Sequence, residues 1–425
     1  MERLVSVLGL VVMIALAWAM SPHRNRIPWR VVAGGLGLQF VFALLILRTT
    51  TGLEFFEWLG TLFQGMMNFV DEGSAVLFAL NGSPEDIGST PRLALLSAFA
   101  FGVLPTIIFF SSLMSVLYHL GIMQLVVRGL AFVMQKTLGT SGAETLSAAA
   151  NIFVGQTEAP LVVRPYVGKM TMSELMVVMV GGFATIAGGV MAIYVRMGIS
   201  AGHLMTASVI SAPAALLIAK VMQPEVETPE TMGKTASHME RKTGNVIEAA
   251  AEGASAGLHL ALNVGAMLIA FVALVAMLNF LIGYAGQQFG FTGDAVWTLE
   301  KGFGYVFYPF AWLMGIASDD CFQAGQVLGT KMVLNEFVAY DQLKTYAENE
   351  AFHDAEHTKT ILTYALCGFA NFSSIGIQLG GIGGIAPERR GDLAKLGLRA
   401  MLGGTLAAFM TACIASLLYV APAAG

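Results

Sequence analysis

Long stretches without Asp, Glu, Lys or Arg recur along the chain, at 4–22, 31–47, 93–118, 175–195, 197–219, 253–293, 302–318, 360–387 and 400–425. A helix needs about 20 apolar residues to cross the hydrocarbon of a bilayer. The pattern therefore predicts an all-α polytopic membrane protein. The first stretch could be taken for a cleaved signal peptide, but its basic residues (His23, Arg24, Arg26, Arg30) follow the apolar run instead of preceding it. It reads as a retained helix whose C-terminal end faces the cytoplasm. Residues 54–72 are too short and too charged to span. Their apolar positions (Phe55, Leu59, Leu62, Phe63, Met66, Met67, Val70) recur at helical spacing, which predicts an amphipathic helix lying in the interface.

Charge sets the number of spans and their direction. Lys and Arg concentrate on cytoplasmic loops. With eight spanning helices, 302–318 omitted and the N-terminus outside, 15 of the 23 basic residues fall inside and 17 of the 28 acidic residues outside. Counting 302–318 as a ninth span would put the acidic segment 341–356 inside and the basic cluster 388–399 outside. Eight spans with both termini outside is the expected topology, and 223–245 is a cytoplasmic linker.

The composition agrees. Hydrophobic residues make up 56% of the 425, charged residues 12%, and mean hydropathy is +0.70. Soluble domains carry about twice that charge, which excludes a soluble enzyme, a nucleic-acid binder and a disordered chain. The net charge of −5 says nothing about partners. Three cysteines cannot build a disulfide framework, and Cys367 and Cys413 read as small hydrophobes.

Two stretches match each other. ETLSAAANIFVGQTEAPLVV (144–163) precedes a run containing FATIAGG (183–189), and DCFQAGQVLGTKMVLNEFVA (320–339) precedes a run containing FANFSSIG (369–376). In each half an apolar helix comes first, then a semi-polar segment with a Glu in a short apolar stretch, then a helix with a small polar break, then a closing helix. Each half holds three full spans, an odd number, so the halves insert with opposite orientation. The expected organisation is N-terminal helices at 1–92, a first repeat at 93–222, a linker at 223–252 and a second repeat at 253–425. Inverted repeats with interrupted helices mark secondary transporters. Segments 142–168 and 320–345 read as re-entrant hairpins from opposite sides, with tips meeting near the midplane, where irregular backbone is tolerated only if protein encloses it.

The chemistry sits on those tips. Gln156, Thr157 and Glu158 place an amide, a hydroxyl and a carboxylate side by side, and an ionisable residue at membrane depth is usually functional. Such a tip could hold the edge of a polar, uncharged ligand. The alternative is that Glu158 pairs with Arg164. Glu336, Asn371 and Ser374 together suit a sugar-like diol, because carboxylates accept paired hydroxyl hydrogens. Ser373 fits helix–helix hydrogen bonding better. His119, His203 and His259 read as packing or interfacial residues, and Asp319-Asp320 as solvated. Walker, CxxC and HExxH motifs are missing, and two buried carboxylates without a nucleophile or metal set argue against an enzyme.

GQTEAPLVVRPYV (155–167), GFATIAGGVMAIYV (182–195), LALNVGAMLIAFVALVAMLN (260–279), GTKMVLNEFVAY (329–340) and CGFANFSSIGIQLGGIGGIAPERR (367–390) resemble the concentrative nucleoside transporters, in particular the bacterial sodium-coupled members. The resemblance runs over nearly the whole chain. It implies an eight-helix form in the bacterial inner membrane that assembles as a homotrimer and imports nucleosides with sodium by elevator-type alternating access; proton coupling is the rival. It implies that Gln156, Thr157 and Glu158 bind the nucleobase with Val190 beside it. Glu336, Asn371 and Ser374 would bind the ribose, and Leu262 and Phe369 would be apolar walls. It also implies a sodium site from the side chains of Asn151 and Thr185 and the carbonyls of Val154 and Ile186. The family more often has Ser at the Thr185 position, and its proton-coupled relatives tend to lack the Asn at 151.

Overall fold

In a computed structural model of the chain, residues 2–77, 104–233, 243–293 and 296–419 are described, and the secondary structure among them is helical. The N-terminal helices are α1 (Glu2–Ala19), α2 (Trp29–Leu47) and α3 (Thr50–Leu77). After residues 78–103 come α4 (Leu104–His119) and α5 (Ile122–Leu138). A helical hairpin follows, with α6 (Gly142–Ala150) as one arm and the short helices α7 (Ala159–Val162) and α8 (Arg164–Val167) as the other. Then come α9 (Met172–Ala184), α10 (Gly188–Arg196) and α11 (Ala201–Met222). The second half holds α12 (Val246–Gln288), α13 (Leu299–Leu313), a hairpin of α14 (Cys321–Val333) and α15 (Glu336–Glu348), then α16 (Ala355–Leu366), α17 (Phe372–Ile385) and α18 (Arg390–Leu418).

Among the described residues five helices are long and apolar enough to cross a membrane: 29–47, 172–196 taken across its break, 201–222, 246–288 and 387–418. A sixth is added if α4 and α5, bent by 76°, are one span. The other expected spans are α1, a shorter apolar helix, and 360–387, which is divided between α16 and α17. The part of 93–118 before Leu104 lies outside the described residues, as does 234–242 of the expected linker. The chain is a multi-pass membrane protein.

Both polar interruptions read from the sequence are breaks in helices. Thr185 leaves α9 in an extended conformation, and α10 restarts at Gly188. In the second half the helix stops at Cys367 and restarts behind Asn371. The breaks touch. A Cβ on Gly368 would lie 2.7 Å from the Phe183 carbonyl oxygen, and Gly368 has φ +154°, so no larger residue fits there.

Helix contacts rest on small residues, as expected where lipid removes the usual apolar driving force. A Cβ on Gly253 or Gly257 of α12 would come within 2.6 or 2.7 Å of the α4 backbone. One on Gly325 of α14 would lie 2.6 Å from the Gly304 carbonyl oxygen of α13. Helix α12 is about 65 Å long at 1.5 Å per residue and exposes Ile269, Phe280 and Tyr284.

Two sequence expectations change. The amphipathic helix is longer than 54–72, running from Thr50 to Leu77 with Met67 and Val70 buried and Phe55 and Leu62 exposed. Asp319 is exposed, but Asp320 is not solvated: it is 1% exposed and accepts from the His353 and Asp354 N–H groups and the Thr358 hydroxyl. The dipeptide pattern hid this because the donors lie more than 30 residues away. Cys321, like Cys367 and Cys413, is buried.

Loops assigned to one side by charge are also joined in space. Arg30 donates to the Lys136 and Thr137 carbonyls, Arg389 to those of Gly168 and Met170, and Arg399 to those of Met20 and Met222. Lys220 pairs with Glu144 at 2.7 Å and Glu225 at 3.2 Å, tying the base of the first hairpin to α11.

Candidate functional site

The tip of the second hairpin is built around a cap. The Asn335 side chain accepts from the Val338 N–H, which starts α15 and puts Glu336 in its first turn. Asn371 does the same for α17, accepting from the Ser374 N–H at 2.9 Å. Its amide nitrogen then donates to the Glu336 carboxylate at 3.0 Å. Tyr194 on α10 donates its hydroxyl to the other Glu336 oxygen, also at 3.0 Å. One side chain thus caps a broken helix and fixes the carboxylate of the second hairpin.

The first hairpin reaches the same helix. Gln156 donates to the Ser374 hydroxyl at 3.2 Å. Gln378, one turn beyond Ser374, donates to the Gln156 carbonyl oxygen at 3.1 Å and to the Met179 backbone at 3.1 Å. Hydrogen bonds and the α17 N-terminus therefore run without a gap from Gln378 through Gln156, Ser374 and Asn371 to Glu336 and Tyr194. Gln156, Ser374, Asn371 and Glu336 are all buried. Close approach needs glycine: a Cβ on Gly182 would lie 2.8 Å from the Gln156 Cβ, and one on Gly381 would lie 2.7 Å from the Thr157 methyl.

Glu158 differs from Glu336. It is exposed, and one carboxylate oxygen accepts from the Gly155 N–H at 3.1 Å. The alternative ion pair with Arg164 is not formed. Val190 is buried in the first turn of α10, and Phe369 is half-buried in the second break. Leu262 is not brought to this cluster: it is 61% exposed on α12.

Sequence reasoning missed Tyr194 and Gln378. Each follows a residue it did single out by four positions, Val190 and Ser374, and so shares its helix face. That spacing was the available signal.

Between the first hairpin and the break after α9 lies a set of neutral oxygens. Asn151 ends α6, fully buried; its amide nitrogen donates to the Ser147 carbonyl at 3.2 Å, and its own carbonyl oxygen has no partner. Thr185 is 2% exposed and spends its proton on the Gly181 carbonyl, 3.0 Å away, leaving its lone pairs free. Among the described residues no N–H donates to the Val154 or Ile186 carbonyl. The hairpin is seated here by the Gly188 N–H, which donates to the Phe153 carbonyl at 2.9 Å. An orphaned buried oxygen and carbonyls that accept from no N–H are the kind of groups a hard cation takes as ligands.

Comparison with known proteins identifies the family. The profile of the Na+ dependent nucleoside transporter C-terminus matches residues 203–416, that of the N-terminus matches 8–80, and a nucleoside recognition (Gate) profile matches 100–201. An uncharacterized transporter of Haemophilus influenzae is 48% identical over 98% of each chain. The chain belongs to the Na+ dependent nucleoside transporter family. It is therefore a transporter and not an enzyme. Sodium/nucleoside cotransporter 1 of Rattus norvegicus is 42% identical over 99% of this chain and 64% of its own length. Solute carrier family 28 member 3 of Eptatretus stoutii is 43% identical over 99% and 61%. The chain thus spans about three-fifths of such animal relatives. The structure of CNTnw in an inward-facing substrate-bound state superposes with a TM-score of 0.89 at 43% identity, covering 98% of both chains.

Proposed function

We propose that this chain is a sodium-coupled nucleoside symporter of a bacterial cytoplasmic membrane. The observation that carries the reading is the buried network joining Gln156 on one hairpin to Glu336 on the other through the capped start of α17. It offers an amide for a nucleobase edge and a carboxylate with an amide for two ribose hydroxyls. Gln156, Thr157 and Glu158 hold the base, with Val190 packed beside it. Glu336, Asn371 and Ser374 hold the ribose, and Phe369 forms a wall. Leu262 joins that wall only when the hairpins move along α12.

Sodium binds through Asn151, Thr185 and the carbonyls of Val154 and Ile186. Bound there it orders the first hairpin against the break of α9, and nucleoside then bridges both tips. Gln156, Ser374, Asn371 and Glu336 already bond to one another, so nucleoside binding exchanges hydrogen bonds instead of creating them, and specificity comes from what an ill-fitting ligand leaves unpaired. In this reading the chain has eight spans and two re-entrant hairpins, related as inverted repeats, with both termini outside. It works as a homotrimer, and the hairpins with the broken helices cross the membrane against α4 and α12. A ligand drives such a cycle only by binding one arrangement better than another.

The second reading is coupling to protons, which the exposed carboxylate of Glu158, held by one backbone N–H and paired with no cation among the described residues, favours. Uptake of a radiolabelled nucleoside panel into proteoliposomes separates the two. Accumulation driven by an inward sodium gradient at equal pH supports the proposal. Accumulation that ignores sodium and collapses with a protonophore overturns it.

A further inference from the structure

Lys331 is a buried cation that the proposed transport chemistry leaves unused. It lies in the last turn of α14, in the second hairpin, and is 2% exposed. Burying an ammonium costs several kcal/mol unless it is compensated. Its Nζ donates to the backbone carbonyl of Ala365 at 2.8 Å, in the last turn of α16 where that helix breaks. The last carbonyls of a helix lack partners and carry the negative end of its dipole. One ammonium thus sits where α14 and α16 both end. Glu336 follows five residues along the same hairpin, at the start of α15, and no carboxylate among the described residues pairs with Lys331 directly.

The first half has the same kind of place, filled differently. There the C-terminal end of α9, at its break, faces the first hairpin with the orphaned Asn151 oxygen and, among the described residues, no lysine. We propose that Lys331 is the fixed cation of the second broken helix, doing for the end of α16 and for Glu336 what the sodium ion does for the end of α9. This rests on the sodium-symport reading. Lys331 is thereby a positioning residue for the ribose: it offsets the charge of Glu336 and holds the second hairpin against the break, while sodium makes assembly of the first hairpin conditional. One half of the pocket carries its cation on the chain itself and the other is switched by the ion.

The test uses the purified full chain and its Lys331→Met variant, which keeps the length of the side chain and removes its charge. Uridine affinity is read by calorimetry at saturating sodium, and melting temperature is read with and without sodium. Uridine affinity is expected to fall at least tenfold, while the rise in melting temperature caused by sodium alone is retained. Lys331→Met is also expected to lower the melting temperature less in a Glu336→Gln background than in the wild type, because the charge it offset is gone. Wild-type uridine affinity in Lys331→Met overturns the proposal. So does an equal loss of melting temperature in both backgrounds, which is what a mere packing role gives. If Lys331→Met does not fold, recovery of folding in the double variant supports the proposal and continued misfolding overturns it. Wild-type protein whose nucleoside binding ignores sodium sinks the symport reading instead, and the melting comparison still decides the role of Lys331.

Discussion

Asn371 donates its side-chain N–H to the Glu336 carboxylate across 3.0 Å while its oxygen caps the helix that carries Ser374. A ligand pulled toward Glu336 therefore acts on the start of α17. Glu336→Gln leaves the side chain in place but removes the charge that accepts two donors. Sodium-driven uridine uptake should fall at least a hundredfold, about 3 kcal/mol, and the variant should elute as the wild type does on size exclusion.

Tyr194 reaches the same carboxylate from α10. Tyr194→Phe removes one hydrogen bond and keeps the ring, which packs on Tyr340 with centroids 4.6 Å apart. A hydrogen bond to a charged group contributes roughly 1.5–3 kcal/mol. The KM for uridine should rise about tenfold, read from initial uptake rates, with a smaller effect on kcat.

Gln378 acts on the base side by holding Gln156. Gln378→Leu leaves the Gln156 carbonyl oxygen free to turn. The expected outcome is a broadened base preference, with the ratio of uridine to adenosine uptake moving toward one in a competition assay.

The proposed ion site has its own readout. Thr185→Val removes a hydroxyl and Asn151→Leu removes the unpartnered oxygen. Each should raise the sodium concentration for half-maximal uptake about tenfold, a loss of about 1.4 kcal/mol, and shrink the rise in melting temperature caused by sodium.

Much of this site was legible in the sequence because membrane depth makes polar residues conspicuous. Gln156, Glu158, Glu336 and Asn371 stand out in apolar runs, and so do the polar breaks after Phe-Ala at Thr185 and Asn371. Pairings across the chain were not legible. The partner of Glu336 on α10 is 142 positions away, and that of Gln156 on α17 is 218. No local periodicity encodes such distances. Asp320 and Lys331 were opaque for the same reason, since their burial depends on segments that return from elsewhere. Leu262 was placed by resemblance alone, and its exposed position on α12 shows how little an apolar residue says about which neighbour it meets.

The central claim is that the two hairpin tips share one nucleoside, base on one side and ribose on the other. Its most direct test is the ratio of affinities for uridine and 3′-deoxyuridine, measured by calorimetry in sodium for the wild type, Gln156→Ala and Glu336→Gln. The account predicts a large ratio in the wild type that survives in Gln156→Ala and collapses toward one in Glu336→Gln. A ratio that persists in Glu336→Gln would contradict it.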